Sequence, residues 1–244
     1  MGGANRRRRR RLDSWSLAAG FVAGWVLLFF ALGPLADQAA GGSQASPAAL
    51  LSPEGAIRAA AFRVDTRGCG RFGGGTAVAT TEGVLTNRHV AEAASVLTVA
   101  GVSATGRSLA DGMDAALIGM AAPWSGPELE LADVLPAEGV EVLVAGYPGG
   151  GPLEVARGRV LSHSDQEYWG GGSGPLLIVD VQVSPGWSGG PVVDLDGRMV
   201  GIVRGSETST GVTVVEPSTA LLEWLDTAPS LETVAADTAR CEPG

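Results

Sequence analysis

From residue 59 onward the apolar positions come in short runs separated by Gly, Pro and Asp. Thr76–Ala79, Val96–Val99, Ala115–Ile118, Val140–Ala145, Leu176–Val183, Val192–Asp194, Met199–Val203 and Val212–Val215 have this form, and Val recurs in them. Short β-branched runs between turn residues predict strands. Asp196-Gly197, between two of them, is a hairpin signal. Many short strands at regular spacing make a sandwich or barrels, so the body is expected to be all-β. Helical spacing emerges only near the end. Ala220, Leu221, Leu222, Trp224 and Leu225 form an apolar stripe behind Pro217 and Ser218, predicting a helix over about 218–226 with Ser218 as its N-cap. Between 123 and 136 there are three Pro and few long apolar runs, which divides the β body into halves of about 56–130 and 131–217.

The N-terminus follows a different pattern. Trp15 to Leu35 is 21 residues without a charge, apolar on every side. As a helix it would span roughly 30 Å, the thickness of a hydrocarbon core. Six consecutive Arg, Arg6–Arg11, precede it and Asp37 follows. The positive-inside rule then places residues 1–14 in the cytoplasm, 15–35 across the membrane and the rest outside. A cleaved signal peptide is the rival, but its apolar region is shorter, about 7–15 residues. Residues 36–55, rich in Ala, Gly, Ser and Pro, are expected to be a flexible linker. The body is then 56–244.

Charge narrows the function classes. All 17 basic residues are Arg, against 26 acids. Setting aside the Arg run and Asp13, 11 Arg face 25 acids, a formal charge of −14. Nucleic-acid binding, which rests on neutralising phosphates, is not expected of such a body. Two His and two Cys do not make a structural zinc cluster, and no metal or other cofactor is expected.

The chemistry concentrates in Ser184-Pro-Gly-Trp-Ser188-Gly-Gly-Pro191. A serine among glycines on a tight turn can present its Oγ while nearby N–H groups face a developing oxyanion. Those donors would be Gly186 and Ser188. Of the two His, His89 sits where an apolar strand, Val84–Thr86, ends, whereas His163 lies in a polar stretch that reads as an exposed loop. His89 is therefore the expected base. An acid must hold its tautomer. Asp114 heads the apolar run Asp-Ala-Ala-Leu-Ile, while Asp111 precedes Gly112 and reads as a turn residue. Asp114 is therefore favoured.

Leu85-Thr-Asn-Arg-His-Val90, Asp114-Ala-Ala-Leu117 and Pro185-Gly-Trp-Ser-Gly-Gly-Pro191 follow one another in the order His, Asp, Ser. In this the chain resembles the trypsin-like serine proteases of the Deg/HtrA branch over residues 57–228. With Val144-Ala-Gly-Tyr-Pro-Gly-Gly-Gly151 and its flanking cysteines, it is also similar to the membrane-anchored periplasmic serine proteases of actinobacteria. The resemblance implies two six-stranded antiparallel β-barrels with a C-terminal helix. It implies a catalytic triad of His89, Asp114 and Ser188 that hydrolyses protein or peptide substrates, in envelope quality control or stress response. A catalytically silent peptide binder and an esterase are the alternatives. The resemblance places the floor of the specificity pocket at Gln182, six positions before Ser188, and a wall at Val203, Arg204, Gly205 and Ser206. An uncharged floor implies cleavage after small or medium uncharged residues, with Glu207 the acid that would change this. Three positions depart from the family. Trp187 stands where Asp or Asn precedes the serine, Arg88 where a small residue is common, and Arg204 where a Ser often lies near the catalytic Asp. Outside the membrane, Cys69 and Cys241 are expected to form a disulfide.

Overall fold

The computed structural model describes residues 52–68, 70–165, 175–207 and 209–234. The segments read as basic tail and membrane helix, and both cysteines, lie outside these residues. Among the described residues no helix is long and apolar enough to cross a membrane.

The described chain opens on helix α1, Pro53–Ala60, which the sequence pattern did not indicate. The Ser52 side chain accepts from the Gly55 N–H at 3.0 Å, and Pro53 stands where a missing N–H costs nothing. Residues 52–55, read from composition as the end of a linker, are thus the cap and first turn of a helix. Ile57 and Ala60 turn inward and are fully buried.

Six strands form the first barrel: β1 (Ala61–Gly68), β2 (Arg71–Thr80), β3 (Gly83–Thr86), β4 (Val96–Val99), β5 (Val102–Leu109) and β6 (Ala116–Met120). They are antiparallel in the order β5-β4-β1-β2-β3-β6, and β6 pairs back on β5 to close the ring. The second barrel closes as β10-β11-β12-β9-β8-β7. Its strands are β7 (Glu141–Gly146), β8 (Glu154–Asp165), β9 (Pro175–Val179), β10 (Pro191–Asp194), β11 (Met199–Glu207) and β12 (Val212–Pro217). Between the barrels, residues 121–140 carry only isolated bridges at Leu129 and Leu131. Helix α3, Ser218–Leu225, follows β12, and the two-residue strand β13, Glu232–Thr233, pairs with β5. The four-residue helix α2, Arg88–Ala91, lies between β3 and β4.

The core is aliphatic. Val64, Ala77, Leu97 and Ile118 are among the residues filling the first barrel, and Val142, Val160, Leu177 and Val215 are among those filling the second. A third cluster joins Val78 and Leu85 of one barrel to Leu143, Val193 and Ile202 of the other, with Ile57 of α1 and Leu221 of α3 packed into it. Burying a side chain the size of Ile57 contributes about 1.5–3 kcal/mol, which holds α1 against the body.

Some expectations shift. Every expected run falls within or overlaps a strand, but β9 ends at Val179 and residues 180–183 leave the sheet. His163 lies on β8, not in a loop; its Nε2 is 3.1 Å from the Pro136 carbonyl oxygen. Pro217, extended at φ −78° and ψ 150°, is the N-cap of α3. Ser218 is instead a buried first-turn residue whose Oγ has no partner among the described residues.

Candidate active site

Strand β3 delivers the chain to α2 through Asn87, and the single turn of α2 presents His89. The turn is held from behind by Arg107 of β5. Its buried guanidinium donates to the Ala91 carbonyl and, at 2.7 Å, to the Ala94 carbonyl. Asn87, fully buried, donates through Nδ2 to the Asp114 carbonyl at 2.8 Å, fixing the Asp114 loop to the His89 turn.

Asp114 takes two bonds from His89. Its Oδ1 accepts from the His89 main-chain N–H at 2.9 Å, and its Oδ2 lies 2.6 Å from Nδ1. An ionised carboxylate only accepts, so Nδ1 carries a proton and the neutral ring has Nε2 free to accept one. Burial pushes the Asp114 carboxyl upward. The hydrogen bond, charge and main-chain N–H of His89, and the Arg204 guanidinium, outweigh this and hold it below its ordinary value of 3.8. Asp111 is fully exposed and pairs with Arg88 at 3.2 Å. Arg88 also donates to the Ala110 carbonyl at 2.6 Å and to Glu92 at 3.2 Å. The larger residue beside His89 thus ties the helix to the loop that carries Asp114.

Ser188 sits on the turn between residues 184 and 190. The Trp187 N–H donates to the Ser184 carbonyl at 3.2 Å and the Gly190 N–H to the Trp187 carbonyl at 2.8 Å. Gly189 has φ +82°, and a Cβ there would lie 2.2 Å from the Thr76 carbonyl oxygen, so only Gly fits. The first barrel holds this turn through Thr76 of β2. Its N–H donates to the Ser188 carbonyl at 2.8 Å and its hydroxyl to the Gly186 carbonyl at 2.8 Å. Gly75 packs between the Ser188 carbonyl and the Val90 side chain, so the serine turn lies beside the residue that follows His89. No hydrogen bond joins Ser188 Oγ to His89 among the described residues.

The Pro185 carbonyl accepts from the Gly149 N–H at 2.8 Å. Carbonyl and N–H of one trans peptide point in opposite directions. The Gly186 N–H therefore faces away from Gly149, and neither it nor the Ser188 N–H donates to a main-chain carbonyl among the described residues. Trp187 is buried in the second barrel against Gly146, where a Cβ would lie within 3 Å of its ring. An aromatic wedge thus occupies the place where the resemblance puts Asp or Asn.

A hollow of about 570 Å³ has His89, Asp114, Arg88 and Arg204 in its lining. Another, of about 320 Å³, is lined by Gly73–Gly75, Gly149, Pro185 and Gly186 among others. Gln182 is exposed on the segment after β9, while Val181 and Val183 on either side of it are buried. Two of the residues expected on the opposite wall have well-defined surroundings. Val203 is fully buried in the second barrel. Arg204 sits at a register shift, Val203 pairing with Val215 and Gly205 with Val214. Its side chain reaches Glu216 at 3.2 Å. Gly205 and Ser206 stay half-buried on β11.

Sequence reasoning missed Thr76 and Glu216. Glu216 was detectable as a charge in the apolar run Val214-Val-Glu-Pro, since a carboxylate there needs a partner. Thr76 had no such signal.

Residues 73–202 match the trypsin-like peptidase domain. The chain belongs to the trypsin-like peptidase family. Among curated members of known sequence, it is 32% identical over 134 residues to the serine protease Rv3671c of Mycobacterium tuberculosis, covering 50% of this chain and 33% of that protein. It is 33% identical over 108 residues to the chloroplastic Protease Do-like 2 of Arabidopsis thaliana, covering 42% of this chain and 18% of that one. The chain thus matches a third or less of the length of these relatives. The crystal structure of the active form of the Rv3671c protease from M. tuberculosis superposes with a TM-score of 0.66 at 22% identity, over 78% of this chain and 91% of that one. The HtrA-type protease AlgW with tripeptide gives 0.63 at 24%, over 72% and 63%. At those identities the likeness is one of fold, and the trypsin-like peptidase fold accounts for both barrels described above.

Proposed function

We propose that this chain is a serine endopeptidase in which Ser188 is the nucleophile, His89 the general base and Asp114 the acid that orients it. The observation that carries this reading is the pair of hydrogen bonds from His89 to Asp114, through ring and main chain, beside a glycine-bounded serine turn. In the reaction His89 Nε2 takes the Ser188 Oγ proton as Oγ attacks the substrate carbonyl carbon. The resulting oxyanion is held by the Gly186 and Ser188 N–H groups, and Asp114 stabilises the imidazolium. His89 then protonates the leaving amine as the C–N bond breaks, and water repeats the sequence to release the acyl group. The free Nε2, the Asp114 carboxylate held ionised and the Gly186 N–H turned away from Gly149 support this. Catalytic hydrogen bonds in unliganded enzymes are often long and tighten only with substrate, which suits the unjoined Ser188 and His89.

A fluorophosphonate probe tests the assignment. Wild-type protein should label at Ser188, and Ser188→Ala should not. Casein cleavage should fall by about 10⁴-fold or more in His89→Ala. Wild-type rates in either variant would sink the assignment, and ester turnover without peptide turnover would make the protein an esterase.

The wider setting rests on the sequence. We read residues 15–35 as a single-pass anchor with the N-terminus cytoplasmic and the peptidase outside, acting on envelope proteins. We read Cys69 and Cys241 as a disulfide. Protease added to spheroplasts should reach the body without lysis, and mass spectrometry without reductant should find the linked peptides. Protection until lysis, or free thiols in protein from its native compartment, would overturn these points.

A further inference from the structure

Glu216 is a carboxylate with no exposed surface, on the strand next to the bulge at Arg204. A buried charge of this kind is retained only with partners, and two are in place. One Glu216 oxygen, Oε1, lies 3.2 Å from Arg204 Nη1 and accepts from the Asp114 main-chain N–H, also at 3.2 Å. Asp114 is therefore grasped from both sides. Asn87 holds its carbonyl and Glu216 its N–H, while its side chain is left to His89. Arg204 neutralises Glu216 and also acts on the Asp114 carboxylate.

We infer that Arg204 and Glu216 form a positioning pair for the Asp114–His89 couple, Glu216 fixing the Asp114 backbone and Arg204 balancing the two carboxylates. This rests on the assignment of Asp114 and His89 proposed above. Two acids so close, with no cation between them, would compete for protons and weaken the hold on the imidazole. Arg204, at the register shift of β11, supplies the cation. The other charged groups around Asp114 are His89, Arg88, Glu92 and Asp111. Arg88 is already engaged with Glu92 and Asp111, which leaves Arg204 as the cation shared with Glu216.

The test uses Glu216→Gln, which keeps the shape and an acceptor oxygen but removes the charge, and the double variant Arg204→Gln/Glu216→Gln. Each is read for kcat, KM and the pH profile of kcat/KM, with circular dichroism to check folding. In Glu216→Gln the charge of Arg204 is no longer balanced. It should disfavour the imidazolium, lower kcat about tenfold with KM unchanged, and move the acid limb of the profile to lower pH. Adding Arg204→Gln removes that excess charge and should return the limb to its wild-type position. A folded Glu216→Gln protein with wild-type kcat and profile would overturn the inference. So would a limb that does not respond to the second substitution. The triad assignment is checked separately by probe labelling of the wild type, whose failure would be a failure of that assignment and not of the pair.

Discussion

The hydroxyl of Thr76, on the first barrel, donates to the carbonyl of Gly186, on the second, across 2.8 Å. The same hydroxyl accepts from the Tyr147 N–H at 3.1 Å. One small side chain thus ties the Ser188 turn to its neighbouring loop. Thr76→Val keeps the shape but strands a carbonyl and an N–H. It should cost about 1–3 kcal/mol in denaturant unfolding. Acylation by the probe should slow by about tenfold or more, short of the 10²–10³ that loss of an oxyanion donor costs. Thr76→Ser should retain most of both. Wild-type labelling in Thr76→Val would show that the hydroxyl does not position the turn.

Asp114 gives a pH signature. Its carboxyl is held below its unfolded value, so its ionised form stabilises the folded state above that value. That contribution is fully present above about pH 5 and is lost as pH falls below about 4 through the folded value. Stability of the wild type should therefore fall more steeply between about pH 5 and pH 2 than that of Asp114→Asn. Parallel curves from urea titrations at each pH would contradict this.

Trp187 fills the second barrel beneath the serine turn. Removing the indole leaves a cavity, and Trp187→Ala should cost about 3–5 kcal/mol. Gly186 and Ser188 flank the lost wedge, so probe labelling should fall even at temperatures where the variant is fully folded. A variant with wild-type labelling and a stability loss below about 1 kcal/mol would mean that the turn is held by the Thr76 bonds alone.

Cleavage specificity should be loose and directed at small or medium uncharged residues before the cut. Gln182 offers no charge, and an apolar contact discriminates by only about 1–3 kcal/mol per methylene. Peptide-library profiling is the measurement. Dominant cleavage after Arg or Lys would point to an acid such as Glu207 instead.

The legibility of the sequence varied with the kind of signal. Apolar runs with Val marked β2, β4, β6, β7, β9, β10, β11 and β12, because those strands press a continuous face into a core. The runs for β1, β5 and β8 are broken by Arg, Thr, Ser and Gly, since many of their residues are exposed or half-buried, and were not marked. Asp114 was preferred to Asp111 on its place at the head of an apolar strand, and it is Asp114 that bonds His89. The partner of Arg204 could not be read, for a reason no one-dimensional pattern contains. Register shifts depend on the partner strand, and the extra residue opposite β12 falls at Arg204, which reaches Glu216 while lining the hollow at His89.

Helix α1 sets a limit on where this polypeptide can be shortened. It is capped by Ser52, and its inward residues Ile57 and Ala60 belong to the hydrophobic cluster shared by both barrels. Any processing that frees the body from what precedes it must therefore cut upstream of Ser52. A scission inside 53–60 would take a plug out of the seam between the two halves, and a fragment starting at Ala61 would have to hold its barrels together without it.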